Sequence, residues 1–201
     1  GGGAIYMRGN GKINISGSAQ ITGNSSSLDG GAILMGWGTI NISDSAKISN
    51  NTASRWGGAI CLRQDSNQST TLNMRGGEIS GNRATKEGGA VHVLDKDCMF
   101  YLYDGRITGN TSGDGGAIYL NQEPSWLIMQ GGEISGNTAT GNGGGAGDEL
   151  PTVEFHENPL FSTVRCTMAA RTCGCDRPAG AGGVAGAHCR DWQGWRGRMK
   201  K

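Results

Sequence analysis

The sequence predicts an all-β chain: a parallel solenoid of about five coils, followed by a tail that lacks the pattern. Three observations predict it. Gly-Gly-Ala followed by an apolar residue recurs at Gly2, Gly30, Gly57, Gly88 and Gly115, in steps of 28, 27, 31 and 27 residues. Each unit closes on a second signature, ITGN, ISNN, ISGN, ITGN or ISGN, ending at Asn24, Asn51, Asn82, Asn110 and Asn137. Between the two, short apolar runs alternate with polar residues, and nothing recurs at helical spacing. A three-strand unit this short cannot bury an apolar face alone, but it can when each copy lies on the next.

The first strand of each unit follows the glycines: GGAIYM, GGAILM, GGAICL, GGAVHV and GGAIYL. Stacked in parallel, about 4.8 Å apart, the units align Ile5, Ile33, Ile60, Val91 and Ile118 in one inward column. Met7, Met35, Leu62, Val93 and Leu120 form a second. The position between holds Tyr6, Leu34, Cys61, His92 and Tyr119, a chemically mixed set that suits an outward site. The second strand is the alternating run KINIS, TINIS, TLNMR, FYLY or WLIM, and the third carries Ile21, Ile48, Ile79, Ile107 and Ile134 inward. Gly, Ser, Asn and Asp between the runs are turn formers.

Two further columns set the register. Stacked side-chain amides both donate and accept, so the five closing asparagines are expected to form an Asn ladder that holds the turn. Just before the third isoleucine column stand Gln20, Lys47, Glu78, Arg106 and Glu133. Their charges alternate from coil to coil, where like neighbours would repel.

Composition narrows the partners. Glycine supplies 38 of 201 residues, charged residues only 17%, and the formal net charge is +1. That balance gives no electrostatic reason to expect nucleic acid or an anionic membrane as partner, and without a run of eighteen apolar residues this segment is not expected to insert in a membrane as a helix. The chain opens in mid-repeat and reads as a fragment. Unpaired strand edges at the coil ends predict self-association.

Paired GGAI and xxxN tetrapeptides over residues 2 to about 142 resemble the passenger repeats of polymorphic outer-membrane proteins, GGA(I/V/L) and FxxN, and those of other bacterial cell-surface β-helix proteins. Here Ile replaces Phe in every unit. The resemblance implies a right-handed parallel β-helix, a single-stranded solenoid, on a bacterial cell surface or secreted. Its implied work is adhesion or display as a rigid, non-enzymatic rod whose partner is a host or cell-surface protein or glycan. The alternative is a polysaccharide lyase or glycoside hydrolase of pectate-lyase-like architecture.

Residues 1–147 form the repeat domain in this reading, and 148–201 a non-repeat tail. All fourteen Ile and thirteen of fourteen Asn precede residue 148, whereas four of six Cys follow it. A sixth coil starts near Gly144, and the next apolar strand is not expected. The tail reads as poorly ordered or out of frame; Cys166, Cys173, Cys175, His188 and Cys189 are metal-ligand types without the usual zinc spacing.

The enzymatic alternative has four candidate carboxylates. Glu78 and Glu133 lie two coils apart, roughly 9.6 Å at strand spacing, a separation that reaches toward an inverting pair. Glu87 and Asp114 precede Gly-Gly in adjacent coils and could form a retaining pair or a calcium site. Against these stand an alternating charge column and solvated turns. His92 has no repeated acidic partner and reads as an exposed strand residue. Cys61 and Cys98 read as packed or free thiols, and Trp37, Trp56, Tyr101, Tyr103, Trp126, Tyr6 and Tyr119 as contributors to a contact surface.

Overall fold

A computed structural model of the chain describes residues 1–141 except 66 and 123, together with two strands at Thr152–Phe155 and Arg165–Cys166. It is a parallel β-solenoid of about five turns. The units lie on one another as the spacing predicts. Ile5 pairs with Ile33, Ile33 with Ile60, Ile60 with Val91, and Val91 with Ile118, while Met7, Met35, Leu62, Val93 and Leu120 follow in step. The third isoleucine column runs unbroken from Ile21 to Ile134. Packed between the strands, Ile33, Met35, Ile40, Ile48, Ile60, Leu72, Ile79, Phe100 and Ile107 are fully buried and form one axial core.

Each coil holds a short strand that the sequence reading does not find, while in the first four coils two of the three expected runs merge into one long strand, such as Ile33–Ile42 or Thr70–Ser80. After the closing asparagine, Ser25–Ser26, Thr52–Ala53, Arg83–Ala84, Thr111–Ser112 and Thr138–Ala139 build a separate five-stranded parallel sheet. Two residues are too few to show alternation. The 31-residue step also has a structural cause: residues 63–69 loop out between Ile60–Leu62 and Thr70–Ser80, with an antiparallel bridge between Asp65 and Gln68 inside the loop.

The Gly-Gly pair is required twice over. Its first member takes φ between 59° and 68° at Gly30, Gly57, Gly88 and Gly115, which side chains resist. At the second, a Cβ on Gly31, Gly58 or Gly89 would collide with the carbonyl oxygen of the next coil's equivalent glycine. The turn and the close approach of coils therefore fall on adjacent residues.

The asparagine column is hydrogen-bonded amide to amide. Asn82 donates its backbone N–H and its Nδ2 to Oδ1 of Asn110, both at 2.9 Å, and its own Oδ1 accepts the same pair from Asn51. Its Nδ2 also reaches the Ile48 carbonyl on the coil before, at 3.0 Å. Asn51, Asn82 and Asn110 are fully buried, so these bonds satisfy polar groups that water cannot reach.

Beyond residue 147 the sequence expectation needs one correction. Thr152–Phe155 pairs in parallel with Trp126–Met129, and Arg165–Cys166 with Glu133 and Ile134. The strand expected to be missing is TVEF, hidden from a search for isoleucine and Gly-Gly-Ala. Cys173, Cys175, His188 and Cys189, and the reading of the tail as poorly ordered or out of frame, otherwise lie outside the described residues.

Candidate functional site

The most elaborate side-chain cluster sits on the outer face of the first strands. The mixed column there is only partly exposed: Tyr6 lies open, but Leu34, Cys61 and His92 are buried. This corrects the reading of His92 as an exposed strand residue. The reason lies in the preceding turn. Trp56 folds back over the strands and packs with Leu34, Cys61 and Leu94. The short Cys61 side chain leaves the level of the column on which the indole rests.

A four-layer stack results. The Arg55 guanidinium lies 4.4 Å from the centroid of the Trp56 ring; Trp56 and His92 stack at 5.4 Å and 9°, His92 and Tyr119 at 5.2 Å and 8°. Arg55 is anchored in turn by two bonds to the buried Asp29, at 3.0 and 2.7 Å, the fork geometry that suits guanidinium and carboxylate. Glu87 takes a hydrogen bond from His92 Nε2 at 3.1 Å. Burial pushes the His92 pKa down against the opposing pull of Glu87. The ring is therefore neutral at pH 7, carries its hydrogen on Nε2, and leaves Nδ1 as a buried acceptor with no hydrogen-bond partner.

The sequence signal for this stack was Cys61, the smallest member of a bulky column, with a tryptophan five residues before it. Reading columns singly missed it, because Trp56 enters the column from another position.

Glu87 and Asp114 fall on neighbouring rungs and Glu78 and Glu133 two coils apart, as expected, yet Glu78, Glu87 and Glu133 each serve a local contact. Glu87 bridges Trp56 on one side and Asp114 on the other in the backbone ladder. In the charge column, Lys47 Nζ lies 3.8 Å from Glu78 and Arg106 Nε 3.6 Å from Glu133, whose Oε1 also accepts from Ser135 at 2.7 Å. Arg106 stands in register between Glu78 and Glu133. The two acids thus face a cation, not a shared opening. For the calcium reading, no group of three or more His, Cys, Asp or Glu is placed to hold a metal ion among the described residues.

Cys61 and Cys98 are free and buried. Burial raises the Cys61 thiol well above its ordinary pKa and pushes Cys98 up to about 11, so neither is a ready nucleophile. Three of the remaining aromatics lie close together. Tyr101 and Tyr103 stack at 5.9 Å on one strand, and Trp126 follows on the next coil, in register with Met99.

Fold and columns together define a parallel β-solenoid repeat protein. Two stretches of it, residues 45–63 and 104–121, match the model of the Chlamydia polymorphic membrane protein repeat and are similar to that repeat. Each match runs from beside the charge column through the asparagine turn into the next Gly-Gly-Ala strand. The Ile that stands for the Phe of FxxN is the third core column, where either side chain would point inward. No curated protein and no solved structure matches the chain.

Proposed function

We propose that this chain is a stretch of a bacterial surface β-solenoid, a stiff, non-enzymatic rod that presents outer faces and loops for adhesion or display. The observation that carries the reading is the coincidence of a surface-protein repeat with a register that holds through five coils. Rigidity comes from the ladders. Contact surface comes from what projects, including the loop at 63–69 and the outer strand faces. The carboxylates of the enzymatic alternative support the rod instead, since Glu78, Glu87 and Glu133 already have Lys47, His92 and Arg106 as partners.

The test has two arms. Antibody against loop 63–69 should label intact bacteria that carry the protein; labelling only after permeabilisation would end the surface reading. The purified chain should leave acidic and neutral polysaccharides intact with or without calcium. Depolymerisation abolished by Glu78→Gln or Asp114→Asn would establish the enzyme in its place.

A further inference from the structure

The outer face of the second strands changes character along the axis. One outward column runs Lys12, Thr39, Thr71, Met99, Trp126, and the next runs Asn14, Asn41, Asn73, Tyr101, Ile128. Both turn from polar to apolar at the same coil, and both return to polar residues, Thr152 and Glu154, two coils later. The first three coils stack without apolar groups there, so the solenoid does not need them for its core. Tyr103, held under the Arg75 guanidinium at 4.4 Å, widens the patch, and all five of its apolar side chains remain partly exposed.

The polar column ends against these rings. Asn41 donates to Asn14 at 2.8 Å and Asn73 to Asn41 at 3.0 Å. The next position is Tyr101, so the Oδ1 of Asn73 takes no hydrogen bond from the described protein. A free amide acceptor therefore stands beside a stacked tyrosine pair, with a tryptophan one coil further on.

We propose that this face binds an extended, neutral, β-1,4-linked oligosaccharide. A pyranose ring has an apolar C–H face and a hydroxyl rim, which match an aromatic ring flanked by an amide. The rung spacing of about 4.8 Å is close to the length of one such sugar, so successive residues of a straight chain meet successive coils. A neutral ligand follows from the patch itself: its apolar members and Asn73 are uncharged, Arg75 and Asp104 are register partners of opposite sign at its edge, and a charge of either sign enters the Asn73 column only beyond it, at Glu154. The inference gives the rod a ligand class and rests on the display reading for its biological place, but not for its measurement.

The experiment uses the full chain, titrated by calorimetry with the β-1,4-linked hexamers of glucose and of N-acetylglucosamine, and with the α-1,4-linked glucose hexamer as the coiled comparator. Tyr101→Asn and Trp126→Thr install the residues that the upstream coils already carry, so folding is expected to survive and circular dichroism to be unchanged. Saturable binding of at least one β-linked hexamer is expected, weakened about tenfold by each substitution and unaffected by Tyr6→Ala on another face. No saturable binding of either β-linked hexamer, equal binding by the substituted chains, or equal binding of the coiled hexamer would overturn the proposal. Surface labelling combined with failure to bind would sink this inference alone and leave the rod standing.

Discussion

At the scale of single residues, His92 shows how a solenoid can bury a group on its outside. The ring is sandwiched by Trp56 and Tyr119, and the carboxylates of Glu87, Asp29 and Asp95 pull its pKa up without overcoming burial. The folded value lies below the ordinary 6.5 that the unfolded chain has. Below pH 6.5 the unfolded chain thus binds a proton that the folded chain refuses, and stability falls until the pH drops past the folded value. Urea midpoints measured against pH should show this loss in the natural chain and a smaller one in His92→Phe, which keeps a flat ring. Parallel pH profiles for the two chains would refute the assignment. None of this was legible one column at a time, because the burial of His92 depends on a turn residue reaching over a neighbouring small side chain.

At the scale of columns and strands, the sequence was far more informative, since identical residues at equal spacing can only be explained together. The inward isoleucines and the glycine pair were readable because each position repeats its chemistry in every coil, and the charge column because its sign alternates regularly from Lys47 to Glu133. The two-residue strands after the asparagines and the strand at Thr152–Phe155 were not, one being too short to alternate and the other departing from the repeated letters. The asparagine column also makes an energetic forecast. Asn82→Ala leaves the Asn51 backbone N–H and one hydrogen of its Nδ2 without an acceptor where water cannot enter, and should cost about 3 kcal/mol. Asn24→Ala, half-buried at the end of the column with no asparagine donating to it, should cost about 1 kcal/mol. Denaturant titrations that find equal losses would show that the column is not cooperative in this way.

At the scale of the whole molecule, stacking coils concentrates the unsatisfied groups at the ends. The edge of Ile5–Ile15 that faces away from Ile33–Ile42 has no strand beside it among the described residues, and Ile5, Met7 and Ile21 there are less buried than their counterparts further in. An open parallel edge with apolar ends invites another edge. The purified chain should therefore grow in mass with concentration by light scattering, and a fixed monomer mass at high concentration would remove end-to-end association as a property of this surface. The same geometry suits a rod, because length is added without altering any contact within it.

The charge column puts an arithmetic condition on such growth. Lys47, Glu78, Arg106 and Glu133 alternate in sign, and Arg165 comes next in register. Duplicating a single coil of the charged run would set two like charges side by side, whereas duplicating two together would preserve the alternation. Coils copied in pairs would therefore keep every charge beside its opposite, so the column favours lengthening by even increments.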